Sequence, residues 1–148
     1  MAADTDLVKL YSGRLLALAA DIPHTGRLDA PMATARRRSP QCGSAVTVDL
    51  AVADGRITDF AQDVRACALG QASAAVLGRT AIGRTRAEIE TARDALAAML
   101  TEDGPAPAPP FEGLEALRAA RDFGNRHPSI LLAWQATCDA LAEAERAA

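Results

Sequence analysis

The run Ala45-Val46-Thr47-Val48-Asp49-Leu50-Ala51-Val52-Ala53, followed at once by Asp54-Gly55 and then Arg56-Ile57-Thr58-Asp59-Phe60-Ala61, decides the fold. Val46, Val48, Leu50 and Val52 alternate with Thr47, Asp49 and Ala51, the period of two that buries one face of a strand. Asp-Gly suits a tight type I′ turn because glycine accepts positive φ, so residues 56–61 are predicted to return as an antiparallel strand. A weaker third strand is predicted over Ala33 to Arg38. An isolated hairpin is marginal in water, so this sheet must pack on helices.

Outward from the hairpin, the helices follow. Leu7, Leu10, Tyr11, Leu15 and Leu18 share a face at helical spacing, with Asp4 or Thr5 as cap and a stop at Asp21-Ile22-Pro23. His24 to Ala33 reads as loop. Ala68 to Leu77 reads as a helix ending near Gly78 or Gly83, and Thr85-Arg86-Ala87-Glu88 has the form of a capping box opening the next. That helix carries Ile89, Leu96, Met99 and Leu100 on its apolar side. Gly104 to Pro110 is too rich in proline for a helix and reads as an extended surface linker. A short helix around Glu112 to Arg121 and a last one from about Pro128 to Arg146 complete the chain. The expected class is α+β, a small three-stranded antiparallel sheet packed against about five helices, in one domain over residues 1–148.

Composition agrees. Of 148 residues 49% are apolar, but only three Phe, one Tyr and one Trp are present, which favours helices over an all-β fold. A net charge of −3 argues against a nucleic-acid binder, which needs a basic surface to displace counterions. Arg36-Arg37-Arg38 is too short to overturn this and reads as a solvated strand or loop edge, while an acidic partner protein stays compatible with it. No run approaches the roughly 18 to 20 apolar residues of a membrane span. Asp4 and Asp6 do not fit a secretory leader, so no membrane association and a cytoplasmic location are expected. Three cysteines, an odd number, point to reduced thiols rather than disulfides.

The chemistry lies in where the cysteines fall. Cys42 sits in the turn-like Pro40-Gln41-Cys42-Gly43-Ser44 and Cys67 at the junction of the returning strand and the next helix. Paired through the Asp54-Gly55 turn, both should reach the same end of the sheet. A helix N-terminus lowers the pKa of Cys67, and Arg65 is expected to push the same way. Gly43 lets backbone approach a bound ion closely. Spacing alone leaves two readings open, a shared metal or sulfur site and two buried, inert thiols. Cys138 shares a helical stripe with Leu131, Trp134 and Leu141 and reads as a core thiol. His24 reads as solvated. His127 is either an exposed or capping histidine or a ligand. Asp21, Asp49 and Asp59 show no paired spacing for acid-base catalysis.

Ser39-Pro40-Gln41-Cys42-Gly43, the hairpin, and Cys67-Ala68-Leu69-Gly70-Gln71-Ala72-Ser73-Ala74 together resemble the IscU/NifU family of scaffolds. That family carries a Cys-Gly-Asp turn and a Cys followed five and six residues later by Ala-Ser. The likeness continues through Gly83-Arg84-Thr85, similar to the family's Gly-Lys-Thr, and through the leucine-rich Leu114 to Trp134 region. It implies a SufE/NifU-like α+β fold and a non-enzymatic role: an iron-sulfur cluster assembly scaffold or carrier that binds iron and sulfide through Cys42 and Cys67 and passes the cluster to recipient apoproteins. Sulfur would come from a cysteine desulfurase, and the bound species would be a 2Fe-2S cluster or zinc. The alternative is a zinc-binding sulfur-relay or adaptor protein that docks on the desulfurase.

Two departures matter. Ser44 replaces the family aspartate, and the third family cysteine falls on Ser129 if Trp134 sets the register, or on Pro128 if His127 does. A hydroxyl is a far poorer ligand than a thiolate for iron or zinc. Three completions are open: a homodimer in which each chain supplies Cys42 and Cys67, His127 as a third ligand beside water, or a divergent member that carries sulfur or docks without building clusters. Arg126 matches an arginine shortly before the family's third cysteine. It could attract sulfide or a partner carboxylate, or simply form a surface salt bridge.

Overall fold

The computed structural model describes residues 11–40 and 43–147. Strands β1 (Ala33–Arg38), β2 (Ala45–Ala53) and β3 (Arg56–Arg65) form an antiparallel sheet in the order β1-β2-β3. The Asp54-Gly55 turn has positive φ at both residues, 52° and 76°, as a type I′ hairpin requires. Val46, Val48 and Leu50 face inward onto helices α2 (Ala68–Thr80) and α4 (His127–Ala147), whose Leu69, Leu77, Ile130 and Trp134 complete the core. Helix α3 (Arg86–Glu102) opens on the capping box: Thr85 Oγ1 accepts from the Glu88 amide, and Glu88 accepts from the Thr85 amide.

Four local expectations are corrected or refined. The first helix does not run unbroken through Tyr11: α1 spans Gly13–Ala19, because Ser12 is extended and its hydroxyl accepts the Leu15 amide as an N-cap. The predicted cap at Asp4 or Thr5 and the turn leading from Leu7 lie outside the described residues. Strand β3 continues past Ala61 to Arg65, since buried Gln62 is held by backbone bonds to His24 and Gly26 and by its side-chain amide on the Ala74 carbonyl. Helix α2 ends at Thr80, between the two glycines near which its end was expected. Gly78 lies inside it because a Cβ there would stand 2.8 Å from the Pro23 carbonyl oxygen, so the glycine serves close packing rather than termination.

The fourth concerns Glu112–Asp122, which winds as a 3-10 helix. Its buried residues Leu114, Leu117 and Ala120 recur every three positions, the period at which 3-10 side chains stack on one ridge. No helix among the described residues is long and apolar enough to cross a membrane.

Candidate functional site

The β2–β3 register pairs Ala45 with Arg65, so the segments just before β2 and just after β3 leave the sheet at the same end. There Gly43, Ser44, Arg65, Ala66, Cys67 and Gln71 line an open cavity of about 330 Å³. Gly43 adopts φ of 72°, and its amide donates to the Ser39 carbonyl, a tight turn that needs glycine. Cys42, one residue earlier, lies outside the described residues.

Cys67 is the N-cap residue of α2, extended and half-buried. Burial pushes its thiol up, but the first-turn amides of Gly70 and Leu69, the Ser129 hydroxyl and the charge of Arg126 outweigh this and hold it below the ordinary thiol range. The cationic help comes from Arg126 at the approach to α4, whereas Arg65, expected to play that part, lines the cavity instead.

Ser129 is the residue of α4 that meets Cys67. Its hydroxyl lies 3.5 Å from Cys67 Sγ and 3.1 Å from Ser44 Oγ, bridging the two. Of the two positions offered for a third ligand, Ser129 and Pro128, it is the Ser129 side chain that meets Cys67. Gly70 permits the approach: a Cβ there would stand 2.7 Å from Ser129 Oγ and 3.0 Å from its carbonyl oxygen. Ser73, one turn along, ties the helices further by donating to the Ile130 carbonyl (2.7 Å) and accepting from the Trp134 indole N–H (3.0 Å).

His127 is not brought to Cys67. Its Nε2 stands 2.9 Å from the Ala120 carbonyl oxygen and 3.1 Å from that of Arg121, acceptors that require the proton on Nε2, so the imidazole caps the 3-10 helix. Two residues along a helix is a turn of roughly 200°. His127 therefore lines a separate cavity with Ser39, Pro40 and Leu131, and Ser129 takes the position facing the sulfur. Cys138 is buried in the core and pushed up to about 11 by desolvation. Among the described residues, no group of three or more His, Cys, Asp or Glu could hold a metal ion.

Sequence reading did not assign roles to Gly70 or Gln71, nor pair Ser44 with Ser129. The available signal was that both departures from the family pattern are serines.

A helix-backed three-stranded sheet, with a cysteine opening a helix at its exposed end, defines the class as an α+β protein with an accessible thiol site. The chain belongs to the NifU-like N terminal domain family, whose model matches residues 10–120. It is similar to a nitrogen-fixing NifU-like protein (N-terminal) from Brucella abortus, with 43% identity over 97% of this chain and 99% of that one, and a TM-score of 0.93. A candidate iron-sulfur cluster assembly scaffold protein for the SUF system from thermophilic Fervidobacterium islandicum AW-1 shares 20% identity over 89% of this chain and 96% of that one, at a TM-score of 0.78. A hypothetical protein shares 23% over 90% and 97%, at 0.73. The last two likenesses establish the fold alone. No curated protein matches the chain.

Proposed function

We propose that this chain is an iron-sulfur cluster assembly scaffold or carrier, taking iron and sulfide as cargo on the thiolates of Cys67 and Cys42 and releasing the assembled cluster to apoproteins. The observation that carries this reading is the open cavity in which Cys67, its thiol held low, shares walls with Gly43 and Ser44 of the Cys42 turn. The NifU-like N terminal domain family supports the same reading, as does the likeness to the NifU-like protein from Brucella abortus. Sulfur would be supplied by a cysteine desulfurase.

The donor set limits how cargo is held. Each chain offers two thiolates, and Ser44 and Ser129, bonded to each other, are weak donors where the family has a carboxylate and a thiolate. A 2Fe-2S unit with about four thiolates is then completed by a second copy of the chain. The zinc-binding sulfur-relay reading draws on the same serine pair, because a site short of ligands also suits a thiol that passes sulfur on.

Anaerobic reconstitution with ferric iron and sulfide tests the assignment. Wild-type protein should turn brown and carry iron and acid-labile sulfide at about half a cluster per chain in a dimer. Cys42→Ala and Cys67→Ala should each fold and lose this uptake, while Cys138→Ala retains it. Undiminished uptake in both of the first two variants removes the assignment. Colourless, zinc-loaded protein that never takes up sulfide establishes the relay reading instead.

A further inference from the structure

The outer face of the sheet carries a second feature at the Cys67 end. Side chains at alternate positions share a face, so Arg36 and Arg38 of β1, Ala45 and Thr47 of β2, and Asp63 and Arg65 of β3 project on the same side. Register makes two rungs of them, Arg38–Ala45–Arg65 and Arg36–Thr47–Asp63. The middle strand contributes only small residues, leaving a hollow of about 430 Å³ walled by Arg27, Arg36, Arg65 and Asp63. Arg38 and Arg65 stand one strand apart on either side of β2, about 10 Å between backbones.

Many arginines elsewhere are paired, Arg37 with Asp139, Arg86 with Glu90 and Glu145, Arg118 with Glu115 and Asp103, while Arg14, Arg126 and Arg146 stand singly, without an ion pair among the described residues. Arg27 is committed to buried Asp49. Exposed Arg36, Arg38 and Arg65 form no ion pair among the described residues, and only Asp63 faces them with opposite charge. A chain of net charge −3 thus concentrates unpaired guanidinium groups on one small area. Arg65 also lines the Cys67 cavity, so the two hollows are neighbours that share its side chain.

We propose that this arginine-walled hollow is the docking surface for an acidic, extended segment of the protein that exchanges cargo with Cys67. The proposal rests on Cys67 being the cargo site. Guanidinium forks match carboxylates bidentately, and the small floor residues leave room for Asp or Glu side chains between the walls. Nucleic acid fits less well: the surface is two rungs deep and its walls hold no aromatic ring on which a base could stack. A partner seated here would bring its reactive group beside Cys67.

The test uses a capped Glu-Asp-Glu-Asp-Glu peptide titrated into the ¹⁵N-labelled full chain. Amide shifts should concentrate on residues 34–38, 43–47 and 63–67, and affinity should fall at least about fivefold between roughly 50 and 300 mM salt. The Arg36→Glu/Arg38→Glu variant, with native circular dichroism, should lose these shifts, and the charge-matched Arg14→Glu/Arg146→Glu variant should keep them. Scattered shifts, none at all, or persistence in the first variant overturns the proposal. So does tighter binding of a short single-stranded oligonucleotide at the same face. Chemical reconstitution separates the two claims: Arg36→Glu/Arg38→Glu, whose residues do not line the Cys67 cavity, should still take up free iron and sulfide, so a docking failure and a cargo-site failure give different results.

Discussion

Along the outer face of the sheet, polar residues occur at both ends with opposite outcomes. Around Asp49 the face is closed. The carboxylate is fully buried and accepts from Arg27 Nε (2.6 Å) and Nη2 (3.0 Å), Thr34 Oγ1 (2.6 Å) and the Leu28 amide (3.0 Å), which ties the 24–28 loop over the strands. Four residues away in β2, around Ala45, the face is open, with Arg36, Arg38 and Arg65 forming no ion pair among the described residues and Cys67 reachable from solvent. Complete hydrogen bonding at one end holds the sheet together. Incomplete pairing at the other leaves groups available for something that arrives from outside.

The closed end should be the costlier to disturb. Asp49→Ala strands the Thr34 hydroxyl and the Leu28 amide and frees the loop, so urea unfolding should show a loss of about 2–4 kcal/mol. Burial pushes the Asp49 carboxyl up, but Arg27, Thr34 and Leu28 hold it below its ordinary value of 3.8. A carboxyl depressed in the folded state stabilises above its unfolded value and ceases to as pH falls through the folded one. The gap between wild type and variant should therefore be full at neutral pH and close below pH 3.8. A gap that stays constant down to acid would mean the ionised network is not what stabilises that end.

At the open end the contrast is between thiols. Iodoacetamide at neutral pH, followed by mass analysis of each cysteine peptide, should modify Cys67 at least about tenfold faster than Cys138. The midpoint of the Cys67 rate profile should lie below the ordinary thiol value of 9.0, and Arg126→Gln should move it upward. Equal rates at the two cysteines would erase the distinction between site and core.

A smaller effect sharpens the role of the serine bridge. Ser129→Cys puts a thiolate where a hydroxyl now sits 3.5 Å from Cys67 Sγ, and zinc affinity by competition with a chelator should rise by at least about tenfold, or 1.4 kcal/mol. No change would indicate that Ser129 positions Cys67 without facing the cargo.

How much of this was legible in the chain follows from the range of each interaction. The hairpin, the capping box and the helix opening at Cys67 are written within a few residues of themselves, and local patterning exposed them. The end of β3 was not, because Gln62 and Asp63 look like loop residues until His24 and Gly26 are seen to bond the Gln62 backbone and Ala74 its side-chain Nε2. Gly78 looked like a helix stop and is a packing contact with Pro23, 55 positions earlier. The Ser44–Ser129 bond spans 85 positions, and the motif could offer Ser129 only as one of two registers. His127 resembled a ligand by residue type, but the backbone carbonyls that occupy it come from the 3-10 helix, a geometry no residue pattern specified. The same holds for Arg27 and Asp49, whose pairing depends on a loop folding back over β2.

Cobalt(II) titration under anaerobic conditions tests the central claim most directly, because sulfur-to-cobalt charge-transfer absorption counts the thiolates bound to the metal. The account predicts a band with the intensity of two thiolates per chain in wild type, lost or halved in Cys67→Ala and in Cys42→Ala and unchanged in Cys138→Ala. A band that survives intact in Cys67→Ala, or disappears only with Cys138, would contradict it.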